Sequence, residues 1–252
     1  MRNIRLLIEY DGSRYDGWQR LGKSSGSSTI QGRIEAVASR MVGAPVEIIG
    51  SGRTDAGVHA YGQVANFHAE TDLSCEAIRD YFNRYLPEDI GIREVYEAKP
   101  RFHSRLNAVS KKYLYRIVTG NAPCVFDRRY VCRCPESLDT AAMERAAAYL
   151  VGRHDFKAFS SVKRPKKSTV RELYRVDIFR EHGELRLMFC GSGFLYHMVR
   201  IMSGTLMEVG MGKRKPEEIP QILAGRDRTR AGVTAPPQGL FLYEVSYEPD
   251  AL

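Results

Sequence analysis

The stretch Ile4-Arg5-Leu6-Leu7-Ile8-Glu9-Tyr10 opens the pattern that decides the fold. Beginning with Ile4, every second side chain of this stretch is apolar or aromatic, which is the period of a β-strand with one buried face. Helical spacing of apolar residues follows over residues 30–41, where Ser28 or Thr29 can cap the start of the helix and Gly43 its end. The chain therefore begins with a strand followed by a helix.

The rest of the chain repeats this pattern in two halves. The first half continues with short strands at 46–49 and 63–68, a helix at 75–85 stopped by Pro87, and a strand at 90–96. The second half has a strand at 112–118, a helix at 140–150, a hairpin of 173–179 with 184–190, helices at 194–209 and near 217–223, and a strand at 240–247. Each half has the order β-α-β-β-α-β, which predicts an α+β fold of two ferredoxin-like modules.

We expect the two modules to join into one continuous, mostly antiparallel sheet with helices packed on one face. The boundary should fall near Lys99–Ser110, which gives an N-terminal module of residues 1–104 and a C-terminal module of residues 105–252. A cleft between two such modules would be a natural place for an active site.

Composition favours a folded protein with a polyanionic partner. Hydrophobic residues make up 43% of the 252 residues and charged residues 27%, so a sizeable core is expected. Lys+Arg minus Asp+Glu is 38 − 30 = +8, and the pI is about 9.3. Basic groups placed on phosphates release condensed counterions, although a solvated basic surface would give the same charge.

Several classes of site and location are disfavoured by the sequence. There is no apolar signal segment and no apolar run near the ~20 residues of a spanning helix, so we expect a cytoplasmic protein without a membrane partner. None of the six histidines lies near the group Cys124, Cys132 and Cys134, which favours reduced structural thiols over zinc. No phosphate-binding or dinucleotide-binding glycine motif is present, so no nucleotide cofactor is expected.

The densest chemical signal is Gly50-Ser51-Gly52-Arg53-Thr54-Asp55-Ala56-Gly57-Val58-His59-Ala60. Glycines permit tight turns and the close approach of another chain. Arg53 offers a planar fork for phosphate, and Asp55 offers an acceptor or a nucleophile. From residue types alone, an ordinary loop in which Asp55 caps backbone N–H groups and Arg53 is a surface charge is the more frequent arrangement.

This segment resembles the signature of the tRNA pseudouridine synthase A family, in which the aspartate of the Gly-Arg-Thr-Asp run is essential. Further segments resemble the family in the same order: Gly17-Trp18-Gln19, Leu86-Pro87-Glu88-Asp89-Ile90, Ser110-Lys111-Lys112-Tyr113-Leu114-Tyr115, Phe194-Leu195-Tyr196-His197-Met198-Val199-Arg200 and Ala235-Pro236-Pro237-Gln238-Gly239-Leu240. The resemblance implies that Asp55, Tyr113 and Arg200 are the catalytic residues, with Arg200 paired to Asp55.

The resemblance also implies the reaction and its partners. The expected enzyme is a tRNA-modifying isomerase that converts uridine to pseudouridine, on the 3′ side of the anticodon stem-loop, as a homodimer. The reaction breaks the N-glycosidic bond, rotates the base and rejoins it through carbon, so it requires no redox change and no group donor, and no cofactor is expected. No metal is expected either, because the sequence has no cluster of metal ligands. Asp55 would act as a nucleophile or a charge partner, at the sugar or at the base.

The guanidinium groups of Arg53 and Arg200 would favour the ionised form of Asp55. Tyr113 could pack against the uracil ring and transfer a proton, whereas strand core is the better interpretation of Tyr115. His59 could serve as a general base, but a hydrogen-bonded structural role or an RNA contact is favoured because no partner is visible.

Basic residues outside the signature are the candidates for RNA phosphates. With Arg53 and His59, the predicted RNA-binding residues are Lys111, Lys112, Lys163, Arg164, Lys166, Lys167 and Arg171. Two loops depart from the family pattern: residues 21–28 are longer and richer in Ser and Gly, and residues 162–168 are more basic. Both bear on the choice of the target uridine.

Two other classes of function are weighed. A non-catalytic tRNA-binding or RNA-folding protein on the same scaffold would explain the charge, but it has no need of a carboxylate beside phosphates. A metal-dependent nuclease would need clustered carboxylates, and Asp55 has none close in sequence. The combination of Asp55, Tyr113 and Arg200 favours the isomerase.

Overall fold

The computed structural model describes residues 1–20, 28–121, 123–162 and 167–248. Over these residues the strands are β1 (Arg2–Tyr10), β2 (Ile49–Gly50), β3 (His59–Ala69), β4 (Ile90–Ala98), β5 (Ala108–Thr119), β6 (Cys132–Cys134), β7 (Gly152–Asp155), β8 (Val170–Glu181), β9 (Glu184–Gly191) and β10 (Leu240–Tyr247). The helices are α1 (Ile30–Val42), α2 (Cys75–Tyr85), α3 (Thr140–Ala148), α4 (Met198–Gly210) and α5 (Glu218–Gly225). The mixture of mostly antiparallel strands with helices confirms the predicted α+β class.

The chain divides into two compact units. Unit 1 contains the described residues of 1–109 and those from 241 onward, and unit 2 contains those of 110–240. The prediction placed the last strand in the module of residues 105–252. The structure instead groups residues from 241 onward with unit 1, because β10 runs parallel to β3 with Phe241 opposite His59 and Leu242 opposite Ala60.

The sheet of unit 1 has the order β4-β1-β3-β10, and β1 is antiparallel to both of its neighbours. Ile4 in β1 lies opposite Phe67 in β3, so both side chains are on one face of the sheet. Phe67 contacts Phe82 of α2 edge to face with a centroid separation of 6.2 Å, which places α2 on that face. The helix α1 has the predicted ends, since the Thr29 hydroxyl accepts from the Gly32 N–H and Gly43 has left-handed backbone.

The predicted strand at residues 46–49 is wrong in extent, because only Ile49 and Gly50 pair with β3. Two backbone groups of this stretch are bound by side chains of α1 instead. The Val46 N–H donates to the Ser39 hydroxyl at 3.0 Å, and the Ile48 N–H donates to the Glu35 carboxylate at 3.1 Å. β3 also begins earlier than predicted, at His59, so the loop that contains Asp55 is limited to residues 51–58.

Unit 2 contains the sheet order β5-β9-β8-β7, with the short strand β6 parallel to β5. The predicted hairpin of β8 and β9 is confirmed, and its two-residue turn, His182-Gly183, has positive φ at both positions. The strands β6 and β7 were not predicted.

The helix α4 begins later than predicted. The sequence pattern placed its start at Phe194, but the helix starts at Met198 because His197 has φ 62° and left-handed backbone. A residue in that conformation cannot belong to a right-handed helix. Arg200 therefore lies in the first turn of α4.

Candidate active site

The loop of residues 51–58 is fixed to unit 1 by its backbone. The Ser51 N–H donates to the Val64 carbonyl at 2.7 Å, and the Gln63 side-chain amide donates to the Gly52 carbonyl at 3.1 Å. A turn closes the loop where the Val58 N–H donates to the Asp55 carbonyl at 3.1 Å. Asp55 is thus held on a loop whose two ends are both anchored to β3.

The segment Gly17-Trp18 contacts this loop at Thr54. The Trp18 N–H donates to the Thr54 carbonyl at 3.0 Å. A Cβ atom at position 17 would lie 2.5 Å from that same carbonyl oxygen, and Gly17 has φ +94°, so only glycine fits here. The segment Gly17-Trp18-Gln19, which resembles a segment of the family, therefore determines the conformation of the loop that contains Asp55.

Thr54 also anchors the loop through its side chain. Its hydroxyl lies 2.7 Å from the Tyr10 hydroxyl, and both side chains are buried. Burial raises the pKa of Tyr10, and the hydrogen bond to Thr54 opposes that rise only in part. The Tyr10 phenol is therefore neutral and keeps its proton for a hydrogen bond.

The side chains next to Thr54 point away from the core. Arg53 is exposed, and Asp55 is half-buried. A half-buried carboxylate on an anchored loop can meet a substrate without a large change in its own position. This geometry suits the role predicted for Asp55, and exposed Arg53 suits a phosphate contact.

His59 belongs to the core of unit 1. The ring is 1% exposed and stacks on Phe241 with a centroid separation of 4.7 Å. Its Nδ1 atom accepts from the Gly12 N–H at 3.1 Å and lies 3.1 Å from an Asp11 carboxylate oxygen. This burial corrects the expectation that His59 contacts RNA and agrees with the structural alternative.

In unit 2, Arg200 is bound by the segment that follows α5. The Arg200 Nε–H donates to the Ala235 carbonyl at 2.8 Å, and the Ala235 N–H donates to the Arg200 carbonyl at 3.1 Å. The Nε–H bond orients the half-buried guanidinium group, and the backbone bond holds Ala235 against α4. The two Nη nitrogens carry four further N–H donors, which suit a carboxylate or a phosphate.

The two tyrosines of β5 differ in their contacts. Tyr115 is fully buried, its hydroxyl donates to the Pro236 carbonyl at 2.9 Å, and burial raises its pKa. Tyr113 is 7% exposed and meets the Phe194 ring edge to face, with centroids 5.0 Å apart. Tyr115 is therefore a core residue, while Tyr113 contacts the segment that leads into α4.

The other predicted RNA-binding residues differ in exposure. Lys167 is exposed, and Lys111, Lys112 and Arg171 are half-buried. Arg171 donates to two backbone carbonyls of residues 168 and 170, and burial lowers its pKa. Lys163, Arg164 and Lys166 lie outside the described residues, as do residues 21–27 of the predicted Ser/Gly-rich loop.

Among the described residues, no three His, Cys, Asp or Glu side chains converge as metal ligands would. In that same part of the chain, no helix has the length and apolar character needed to cross a bilayer.

Comparison with known proteins identifies the family. Residues 6–106 and 146–248 match the sequence profile described as tRNA pseudouridine synthase. The chain belongs to the tRNA pseudouridine synthase A family. The member of this family from Bacillus sp. (strain KSM-64) is 48% identical, over 98% of this chain and 100% of its own length.

Two more distant relatives carry the same name. The tRNA pseudouridine synthase A of Acetivibrio thermocellus is 45% identical over 98% of this chain and 100% of its own length. That of Geobacillus kaustophilus (strain HTA426) is 44% identical over 100% of this chain and 96% of its own length. Asp55 and Arg200 lie inside the two segments that match the tRNA pseudouridine synthase profile, and Tyr113 lies between those segments.

Two contributors to the site were missed by the sequence analysis. The Ala235 carbonyl that binds Arg200 has no residue-type signal, because every residue carries a carbonyl group. The support that Gly17 gives to the loop of Asp55 could have been suspected from the Gly-Trp-Gln motif, although the sequence did not show which segment it contacts.

Proposed function

We propose that this protein isomerises uridine to pseudouridine in tRNA and that Asp55 is its essential catalytic residue. The observation that carries the proposal is a half-buried carboxylate on a loop anchored to β3 and, through Thr54, to Tyr10. The family signature around that carboxylate supports the same role. A protein that only bound tRNA would gain nothing from a fixed negative charge beside phosphates.

The chemistry needs a group that assists cleavage of the N-glycosidic bond and then allows the base to turn. An ionised Asp55 can do this as a nucleophile or by stabilising positive charge. To Arg200 we assign the role of a charged group in the reaction, and the Nε–H bond to the Ala235 carbonyl orients its guanidinium group. Tyr113, whose ring is restrained by Phe194, is assigned to packing against the uracil and to proton transfer.

The finer features of the function follow from the resemblance. The target uridines are those on the 3′ side of the anticodon stem-loop, the enzyme works as a homodimer in the cytoplasm, and no cofactor takes part. Among the described residues, Arg53 and Lys167 are the exposed candidates for phosphate contacts. Lys111, Lys112 and Arg171 are secondary candidates, since each is half-buried.

The decisive experiment replaces Asp55 by Asn and measures pseudouridine in tRNA after incubation with the protein. We expect no detectable product while tRNA affinity stays within about tenfold of wild type. The matched control is Asp16→Asn, which removes an exposed carboxylate from a nearby loop and should leave turnover unchanged. Turnover by Asp55→Asn within a factor of a few of wild type would remove Asp55 from catalysis. Tight tRNA binding by a wild-type protein that makes no product would support the non-catalytic alternative.

A further inference from the structure

The segment of residues 231–235 lies along α4, the helix that carries Arg200. The Gly232 N–H donates to the Thr205 hydroxyl at 2.9 Å, and the Val233 N–H donates to a Glu208 carboxylate oxygen at 2.9 Å. Together with the reciprocal bonds of Ala235 and Arg200, these contacts attach the segment to three successive turns of α4. These contacts with α4 therefore fix the position of the Ala235 carbonyl.

The approach of this segment to α4 is very close. A Cβ atom on Gly204 would lie 2.0 Å from the Val233 carbonyl oxygen, so no larger residue fits at that position in the helix. Thr205 is fully buried beside it, and its hydroxyl donates to the Ile201 carbonyl at 2.7 Å while accepting from Gly232. The hydroxyl is therefore satisfied as donor and as acceptor, and it links helix and segment.

Two charged side chains complete the attachment. Arg228 donates to the Gly232 carbonyl at 2.9 Å and to the Thr234 hydroxyl at 3.0 Å. The second carboxylate oxygen of Glu208 accepts from Arg214 at 3.0 Å, and Arg214 in turn contacts Glu218 of α5 at 3.1 Å. Arg228 and Glu208 therefore both bind the segment.

We infer that Thr205, Glu208 and Arg228 are positioning residues that fix the guanidinium group of Arg200 through the Ala235 carbonyl. An arginine side chain has several rotatable bonds. A hydrogen bond from the Nε–H to one acceptor restricts the plane of the guanidinium group. That acceptor is useful only if it does not move, and these three residues hold the segment that bears it. The inference rests on the proposed function, because it gives Arg200 a place in turnover.

The test compares two substitutions at one buried position. Thr205→Val keeps the shape of the side chain but removes the acceptor for the Gly232 N–H, whereas Thr205→Ser keeps the hydroxyl and removes a methyl group. A displacement below 1 Å at a charged group can lower turnover by about tenfold to a hundredfold. We expect Thr205→Val to lower kcat by about tenfold or more with an unchanged Kd for tRNA, and Thr205→Ser to keep kcat within about twofold of wild type.

A second variant and its control test the charged part of the network. Glu208→Ala removes the acceptor for the Val233 N–H and should lower kcat in the same way. Glu218→Ala also removes an ion pair of Arg214 but leaves the segment untouched, so it should leave kcat unchanged. If kcat simply follows the melting temperature across these four variants, the residues are structural and the inference is wrong.

The background Arg200→Lys separates this inference from the proposed function. Lysine has no Nε–H to bind Ala235, so Thr205→Val should cause little further loss of kcat in that background. An additive loss there would overturn the positioning role alone. Wild-type turnover by Arg200→Lys would overturn the role of Arg200 in the proposed function, and the positioning inference with it.

Discussion

The substitution Gly17→Ala tests how strongly turnover depends on the placement of the Asp55 loop. The added Cβ would lie 2.5 Å from the Thr54 carbonyl oxygen, whereas ordinary contact begins at 3.4 Å. The two segments must therefore separate by 3.4 − 2.5, or about 0.9 Å. A shift of this size in a reacting group costs about a hundredfold in rate, so we expect kcat to fall by roughly that factor.

Backbone strain must be separated from the displacement of the loop. Gly17 has φ +94°, and an alanine with positive φ costs about 1–3 kcal/mol wherever it occurs. Gly43→Ala is the matched control, because Gly43 has φ +72° and a Cβ there would meet no atom within 4 Å. Both variants should therefore lose stability, and only Gly17→Ala should lose turnover.

The assay for this pair measures tritium released from tRNA labelled at C5 of uridine, because C5 loses its hydrogen when it forms the new glycosidic bond. Melting temperatures are recorded for both variants, and kcat is taken at a temperature well below either. Equal turnover by Gly17→Ala and Gly43→Ala would refute the claim that Gly17 positions the loop of Asp55.

Three further predictions address metal, charge and pH. Turnover on refolded tRNA should survive excess chelator once the magnesium needed by the RNA is controlled for, because the described residues contain no cluster of metal ligands; loss of activity that zinc alone restores would contradict this. Arg53→Gln should weaken tRNA binding and reduce the slope of log K against log salt by about 1, and an unchanged slope would make Arg53 a merely solvated charge. Burial raises the pKa of Tyr115 above its ordinary value of 10.0, so the stability that this neutral tyrosine contributes is present below pH 10 and is lost as the pH rises above it. Below pH 10 the melting temperature of Tyr115→Phe should be lower than that of wild type, because the variant lacks the hydrogen bond to Pro236. Above pH 10 it should fall less steeply with pH than that of wild type. Parallel curves of melting temperature against pH would contradict this prediction.

Local signals in the sequence predicted most elements of the fold. The helix α2 has the predicted ends, and α1 has the predicted caps, because capping residues and prolines act on their immediate neighbours. The hairpin at His182-Gly183 was likewise predictable from its turn residues. These features depend on contacts within a few residues along the chain.

The errors occur where a distant contact decides the local conformation. The apolar pattern from Phe194 onward suits a helix, yet His197 takes left-handed backbone while its ring stacks on Tyr196 and its Nδ1 atom lies 2.9 Å from the Ser161 hydroxyl. The strand predicted at 46–49 is shortened because the Glu35 carboxylate, in another element, binds the Ile48 N–H. Periodicity carries no information about either partner.

The sequence named candidate site residues, but it did not show which contacts hold them in place. The motif around Asp55 named the loop, and the structure shows the loop anchored by Thr54 and flanked by Gly17. The acceptor for the Arg200 Nε–H is the backbone carbonyl of Ala235, 35 residues later in the sequence. No residue type predicts such a contact. The same limitation applies to β10, whose alternating pattern predicted a strand but not its pairing with β3.

The pairing of β10 with β3 has a consequence for the way the protein is made. Phe241 lies opposite His59, so the ribosome must synthesise the whole of unit 2 between the two halves of one sheet. A nascent chain that ends at residue 98 contains β1, β3 and β4, but β3 still lacks its pairing with β10 beside the loop of Asp55. Unit 2 can fold while it emerges, but unit 1 closes only after residue 242 has left the exit tunnel. The loop of Asp55 is therefore among the first segments translated, whereas the pairing of β3 with β10 beside it is among the last to form.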